Sequence, residues 1–238
     1  SIVLRRLQGR RFVEFQDLFD TRRGTHAGAR FSRGNTLPAL AHPHGFVFLT
    51  PATDAADTRW PYRWGVHDEP AGRRLAALQT SHQPSPWIGD HGVLQFVPQA
   101  TGDYHSEGGV IVPGSEIAQP HRYAATLIGG IDVEATTTRS VVVVRVRGDG
   151  AVGLRLGWPD GDGALHLESL PDGRAAISGW IVPCSADRNF GADALTSIGA
   201  VMSSGRTSTE LNSAFLASTA ASTACFIAFT RCPNDARS

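Results

Sequence analysis

The 238-residue chain contains no lysine, only three cysteines and no long apolar run. Its 22 basic residues, all arginine, balance 22 acidic residues, so no net charge favours nucleic acid. The cysteines match neither a disulfide framework nor a zinc spacing. No stretch reaches the roughly 18 apolar residues of a membrane-spanning helix, and the opening SIVLRRLQGRRF lacks the apolar segment of a signal peptide. We expect a globular protein with no nucleic-acid partner and no membrane partner.

Short runs of alternating or β-branched apolar residues, bounded by Gly, Pro, Asn and Asp, recur along the chain. This rhythm is typical of an antiparallel sandwich. Helical periodicity is confined to residues 73–81 and 209–223. We predict an all-β fold: one large, supersandwich-like antiparallel β-sandwich domain over residues 1–238, with long irregular loops and few helices. The predicted strands cover residues 45–50, 92–98, 108–113, 123–138, 140–148, 152–158, 164–170, 175–183 and 224–231.

Three glycine-rich motifs have to be assigned before function is considered. GDGAVG (148–153) satisfies the GxGxxG pattern of dinucleotide-binding folds, but LRLGW follows it where that motif needs a helix. Asp149-Gly150 is a typical hairpin turn, and we predict a hairpin. PDGDGALHLES (159–169) resembles a calcium loop whose ligands fall at the wrong offsets. We interpret this segment and PDG (171–173) as two separate hairpin turns.

Catalytic and metal motifs give little support for chemistry within this chain. Nine histidines are present, but no HExxH or His/Cys spacing accompanies them. No GxSxG elbow occurs, and Cys184 has no nucleophile signature around it. We therefore predict no metal site in this chain, and Ser- or Cys-based hydrolysis finds no support.

Two irregular regions, Asp17–Trp64 and Gln79–Gly92, are expected to be functional loops, because long irregular segments in a compact domain usually carry function. They contain the tryptophan-rich motifs RWPYRWG (59–65) and SHQPSPWIGDHG (81–92). Indole faces stack on the apolar face of a sugar, and Arg, His, Gln and Asp bind its hydroxyls. A tryptophan-anchored loop packed on the edge of the sandwich would use the same residues. Composition alone leaves both interpretations open.

Several motifs resemble glycoside hydrolase family 92, the calcium-dependent exo-acting α-mannosidases. SHQPSPWIGDHG (81–92) is similar to the family's Ser-His-Gln-Pro-Ser-Pro-Trp-Ile-Gly-Asp-Tyr-Gly stretch. NTLPALAHPHGFVFLTPAT (35–53) and WPYRW (60–64) resemble its Asn-Thr-x-Pro run and its Tyr-Arg-aromatic motif. SEIAQPHRYAATLIGGIDVEATTTR (115–139) looks like its Glu-x-Ala-x-Pro-x-Tyr strand pair. The resemblance covers residues 17–150 and matches the N-terminal β-sandwich domain of that family.

The resemblance implies an inverting exo-α-mannosidase that acts on α-mannoside glycans. In this family the general acid, the general base and the calcium ligands lie in a following (α/α)6-barrel domain, which is absent from this chain. The chain alone is therefore expected to be inactive, to have the barrel domain as its partner, and to need calcium only as part of the full enzyme. An extracytoplasmic or secreted location is also implied. Because the chain begins at Ser1, any targeting segment is expected to have been removed.

The resemblance also assigns a set of sugar contacts. These are Arg63, Trp64, His82, Gln83, Trp87 and Asp90. Arg63 and Trp87 are expected to contact mannose, while Trp64 forms a wall of the pocket. His82, Gln83 and Asp90 are expected to orient hydroxyls or to hold the loop.

Some features depart from the family pattern. Residues 112–115 replace the aromatic-Ser-His that commonly precedes the motif glutamate, here Glu116, and His91 stands where Tyr is usual. Residues 203–224 form either a divergent linker or an altered strand pair. The alternative function is a stand-alone carbohydrate-binding or interaction module without catalysis.

Overall fold

The computed structural model describes residues 3–4, 13–14, 18–26, 36–41, 48–57, 60–64, 73–81, 93–100, 108–137 and 142–148, and the backbone of the strands that follow. None of these residues lies in an α-helix. The described residues therefore include no helix that is long and apolar enough to cross a membrane.

The described residues contain eighteen strands. In chain order they are β1 (Val3–Leu4), β2 (Val13–Glu14), β3 (Phe48–Ala52), β4 (Arg74–Leu75), β5 (Ala77–Ser81), β6 (Gln95–Ala100), β7 (Gly109–Val110), β8 (Ile117–Gln119), β9 (Arg122–Leu127), β10 (Ile131–Thr137), β11 (Val142–Arg147), β12 (Val152–Gly157), β13 (Asp162–Ser169), β14 (Ala175–Val182), β15 (Thr196–Met202), β16 (Arg206–Glu210), β17 (Ser213–Ala217) and β18 (Thr223–Arg231).

Two large antiparallel sheets dominate the architecture. One has eight strands in the order β13-β14-β15-β18-β11-β10-β9-β8, and the other has six in the order β16-β17-β12-β6-β5-β3. Two small sheets, β1-β2 and β4-β7, complete it. The prediction of an all-β antiparallel sandwich is confirmed.

The core lies between the two large sheets. Along β11, Val142, Val144 and Val146 are completely buried, whereas the residues between them are partly exposed, as the period of two in a strand requires. From the six-stranded sheet, Leu78 and Phe96 join the same apolar cluster. Alternation along the strands therefore places one apolar face of each sheet in a shared core.

Both helical predictions are wrong. Residues 73–81 form β4 and β5, and every residue of β5 is buried. A short apolar run buried on both faces loses its alternation, so periodicity cannot distinguish it from a buried helix. Residues 209–223 contribute to β16 and β17. Strand β16 pairs with β17, which pairs with β12, and this antiparallel pairing overrides a weak local preference for helix.

The turn predictions have mixed outcomes. PDG at 171–173 joins β13 to β14, which are antiparallel partners, so that hairpin is confirmed. In contrast, β11 and β12 belong to different sheets, and so do β12 and β13. The hairpins predicted at Asp149-Gly150 and at 159–169 are therefore wrong, because the chain crosses between sheets there. Strand β12 begins within GDGAVG, at Val152, where a dinucleotide fingerprint would need a helix, and this agrees with the rejection of that fingerprint.

Candidate functional site

The candidate site begins at the free edge of the eight-stranded sheet, where a turn packs on β8. The Thr21 N–H donates to the carbonyl of Ala118 at 3.0 Å, which fastens the turn to the strand. Asp20 shapes the turn by accepting the Arg22 N–H at 3.0 Å. Gly24 closes it in the left-handed region, at φ +84°. The sheet edge thus fixes the backbone that carries Asp20 and Arg22.

Glu116, directly before β8, is the centre of a buried polar cluster. Its carboxylate accepts the Tyr123 hydroxyl at 3.0 Å and the Tyr62 hydroxyl at 3.1 Å. It also pairs with Arg73, and with Arg22 Nη1 at 3.4 Å. A carboxylate offers about four acceptor positions, and four donor groups meet this one. The Glu116 side chain is 1% exposed, so this pairing offsets the large cost of burying its charge.

The two arginines of this cluster both face the indole of Trp64. The guanidinium carbon of Arg22 lies 4.4 Å from the ring centroid, and that of Arg73 lies 4.7 Å from it. Cation–π contacts of this kind contribute about 0.5 to 2 kcal/mol each. The indole nevertheless stays 37% exposed. Trp64 therefore has a fixed orientation together with an accessible surface.

Asp20 and Arg22 form a two-point ion pair at the rim of the cluster. Arg22 Nε donates to Oδ1 at 2.8 Å and Nη2 donates to Oδ2 at 2.7 Å. The hydrogen bond from Arg22 lowers the pKa of Asp20, and the same bond raises the pKa of Arg22. Two arginines and two carboxylates therefore leave the cluster electrically balanced.

Burial controls the two tyrosines. Desolvation, followed by the charge of Glu116, raises the pKa of Tyr62 and of Tyr123 well above 10.0. Both phenols therefore remain protonated donors to the carboxylate throughout the neutral range. Arg73 Nη1 donates to the Tyr62 hydroxyl at 2.9 Å, so this hydroxyl bridges Arg73 and Glu116.

A cavity of about 260 Å³ opens beside this cluster. Its lining comprises Asp20, Arg22, Arg23, Gly24, His26 and Trp64. An exposed indole next to carboxylate acceptors and guanidinium donors offers the two kinds of contact that a monosaccharide needs, an apolar stacking surface and hydroxyl partners. The described lining therefore suits a small ligand that has an apolar face and several hydroxyl groups.

A larger cavity, about 350 Å³, lies over β9, β10 and β11. Its lining residues are His121, Arg122, Glu134, Ala135, Thr136, Val143 and Arg145. Glu134 accepts Arg122 Nη2 at 2.7 Å and also pairs with Arg145. Among the described residues of this lining there is no tryptophan or tyrosine face, and the carboxylate of Glu134 is engaged by two arginines. We therefore favour the cavity beside Trp64 as the candidate site.

The structure separates the two predicted contacts that it describes. Trp64 joins the Glu116 cluster, whereas Arg63 Nη2 binds Asp57 at 2.9 Å and lies 3.9 Å from Asp54. The loop carrying Arg63 is tied to β6, because Gln95 Nε2 donates to the carbonyl of Ala55 at 2.6 Å. The other predicted contacts lie outside the described residues and remain predictions. They are His82, Gln83, Trp87 and Asp90.

Sequence reasoning missed most of the cluster around Trp64. Glu116 and Tyr123 stood in the quoted SEIAQPHRY motif, so the resemblance contained a signal for them. Arg73 stood in a segment interpreted as a helix, and its isolated position in the sequence carries no signal. A buried ion pair between residues 43 positions apart depends on the tertiary fold.

No group of three or more His, Cys, Asp or Glu side chains in the described part of the chain could hold a metal ion. The carboxylates at the site are instead paired with arginines, which does not suit a calcium site needing several unpaired oxygens. No calcium chemistry is derived from these residues.

A family model and several solved structures match the chain. The model of the glycosyl hydrolase family 92 N-terminal domain matches residues 18–150, more than half of the chain. A family GH92 inverting mannosidase from Bacteroides thetaiotaomicron VPI-5482 superposes with a TM-score of 0.77 at 20% identity, over 94% of this chain and 32% of that protein. No curated protein matches the chain.

Two further solved structures share the fold. The GH92 family glycosyl hydrolase ccman5 gives a TM-score of 0.66 at 15% identity, covering 91% of this chain and 32% of its own. A family GH92 α-mannosidase from Bacteroides thetaiotaomicron gives 0.62 at 14% identity, covering 83% and 31%. The chain thus spans about a third of the length of the solved structures it matches.

Proposed function

This chain belongs to glycosyl hydrolase family 92, whose N-terminal domain it matches, and from that premise we propose that it is part of an exo-acting enzyme that removes terminal α-linked mannose from glycans. The observation that carries the proposal is the half-exposed indole of Trp64 beside paired charges in a cavity of monosaccharide size, within the matched residues. In this proposal the sandwich supplies part of the sugar-binding surface.

Catalysis is assigned to a partner domain. Inverting hydrolysis needs a carboxylic acid at the glycosidic oxygen and a carboxylate that activates water on the opposite face. Asp20 and Glu116 are both engaged in ion pairs with arginines, so neither of these described carboxylates is free to approach a glycosidic oxygen or to hold a water. The acid, the base and the calcium site are therefore proposed to lie in an (α/α)6-barrel domain, and the chain alone is proposed to be inactive.

Sugar contacts are proposed on both irregular regions. Trp64 would stack on the apolar face of mannose, while Asp20 and Arg22 at the cavity rim would bind hydroxyls. Arg63 and the predicted contacts His82, Gln83, Trp87 and Asp90 would complete the pocket at the interface between the two domains. An extracytoplasmic or secreted location remains part of the proposal, and fractionation of the source cells would test it.

Replacing Trp64 by alanine in the protein that contains both domains tests the proposal. We expect the KM for an α-mannoside to rise about tenfold, because the loss of roughly 1.4 kcal/mol of stacking corresponds to a factor of ten. Ile128→Ala is the matched control, since Ile128 is 65% exposed and lies in the turn between β9 and β10. An unchanged KM in Trp64→Ala would contradict the role of Trp64. If the chain binds glycans but the protein that contains it has no hydrolytic activity, the stand-alone module is favoured instead.

A further inference from the structure

The orientation of Trp64 depends on residues from three other segments of the chain. Arg22 lies in the turn on β8, Arg73 directly precedes β4, and Glu116 directly precedes β8. Both guanidinium groups lie within 5 Å of the indole centroid. Trp64 is 37% exposed, and these two cations are described contacts on the face of its indole.

Each of these arginines is itself fixed by Glu116. Arg73 forms an ion pair with the carboxylate, and both side chains are 1% exposed. Arg22 Nη1 donates to the backbone carbonyl of Glu116 at 2.9 Å and lies 3.4 Å from its carboxylate. Arg22 has a second anchor in Asp20, whereas the described anchors of Arg73 are Glu116 and Tyr62. Arg73 is thus the support that depends most on the carboxylate.

We infer that Glu116 is a positioning residue for sugar binding: through Arg73, and with the help of Tyr62, it holds the indole of Trp64 in the orientation on which the sugar stacks. This inference rests on the proposed function, because it needs Trp64 to contact the sugar. Glu116 itself touches no sugar, since its side chain is buried. Its contribution is to pre-order the binding surface, which lowers the entropy cost of ligand binding.

Two tyrosine variants provide a matched test that avoids leaving a buried charge unpaired. Tyr62→Phe and Tyr123→Phe each remove one buried hydroxyl that donates to Glu116. Only the Tyr62 hydroxyl also accepts from Arg73. In the two-domain protein, we expect Tyr62→Phe to raise the KM for an α-mannoside about three- to tenfold with little change in kcat. Tyr123→Phe should raise it clearly less, although thermal unfolding should show a similar loss of stability.

A double substitution separates positioning from a general structural effect. If Tyr62 acts through the indole, adding Tyr62→Phe to Trp64→Ala should leave the KM of Trp64→Ala unchanged. Near-ultraviolet circular dichroism gives a readout that does not depend on activity. In the longest-wavelength indole bands, where tyrosine does not absorb, the difference between Tyr62→Phe and the parent should be largely lost when both carry Trp64→Phe.

The outcomes distinguish the proposed sugar contact of Trp64 from the proposed positioning role of Glu116. An unchanged KM in Trp64→Ala would overturn the proposed sugar contact itself. A raised KM in Trp64→Ala, combined with equal effects of the two tyrosine variants or with fully multiplicative effects in the double variant, would overturn the positioning role of Glu116 alone. A larger effect of Tyr62→Phe that disappears in the Trp64→Ala background would support it.

Discussion

Glu116 is the residue on which most of the described polar contacts at the site depend. Its carboxylate is surrounded by two phenols and two guanidinium groups, and almost none of it reaches solvent. Removing one partner of a buried pair leaves the other charge uncompensated, which typically costs about 3 to 5 kcal/mol. The residue therefore links the stability of the domain to the geometry of the cavity.

Glu116→Gln should reduce the free energy of unfolding by about 3 kcal/mol, measured by urea denaturation. Glu134→Gln is the control, because Glu134 also pairs with two arginines but has a side chain that is 30% exposed. Solvent screening should limit its loss to about 1 kcal/mol. Similar losses in the two variants would contradict the importance assigned to burial.

The tyrosines predict a pH dependence at the alkaline end. Burial raises the pKa of Tyr62 and of Tyr123 above the ordinary value of 10.0, so the folded state favours the protonated phenols. Their contribution to stability is therefore complete below about pH 10 and is lost as the pH rises further toward the folded pKa.

Tyr104 is the one other tyrosine in the sequence, so Tyr104→Phe isolates the signal of the buried pair. In that variant, phenolate absorbance should stay absent through pH 10 and appear only together with alkaline unfolding, followed by far-ultraviolet circular dichroism. A reversible phenolate signal near pH 10 in the folded chain would contradict the burial of both phenols.

Among the structural elements, β4 and β7 matter most to the site, because their pairing fixes the backbone of Arg73. The Ile111 N–H donates to the Arg73 carbonyl at 2.8 Å. Gly108 allows β7 to approach this closely. It has φ +71°, and a Cβ there would lie 2.1 Å from the carbonyl oxygen of Leu75. No side chain can occupy that space without moving the backbone of β4.

Gly108→Ala should therefore destabilise the domain more than Gly114→Ala. Gly114 has a similar φ of +79°, but nothing lies within 4 Å of its Cβ position. Backbone strain alone should cost Gly114→Ala about 1 kcal/mol. The clash should add a further ~1 to 3 kcal/mol at Gly108. Equal shifts in thermal unfolding would show that the close approach of β4 and β7 is not needed.

The elements also show what sequence patterns could and could not reveal. Alternation identified β10 and β11, because buried residues alternate with more exposed ones along each of them. It failed for β5, which is buried at every position. Turn motifs located chain reversals correctly at 171–173 but could not tell a hairpin from a crossing between sheets, because that choice depends on which strands pair.

For the site, a family resemblance gave more than periodicity. The resemblance to family 92 is confirmed, and it included the motif that contains Glu116. Trp64 was predicted to be a pocket wall, and that role stays a prediction. Its contacts Arg22 and Arg73 were not predicted, because no local spacing links them to residue 64. The contacts predicted at 82–90 remain predictions.

For the whole molecule, the central claim is a division of labour between two domains. The chain spans about a third of the solved structures it resembles, one of which is described as an inverting mannosidase. Its cavity offers binding groups, while the carboxylates beside that cavity are committed to arginines. A sandwich that completes a sugar site without performing hydrolysis accounts for both observations.

The most direct test is an assay of mannose release from an α-mannoside in the presence of calcium, applied to the 238-residue chain and to the longest product of the same gene. We predict release by the longer protein only, with a KM that rises in its Trp64→Ala variant. Mannose release by the 238 residues alone would contradict the account, because the acid and the base would then have to lie within this chain.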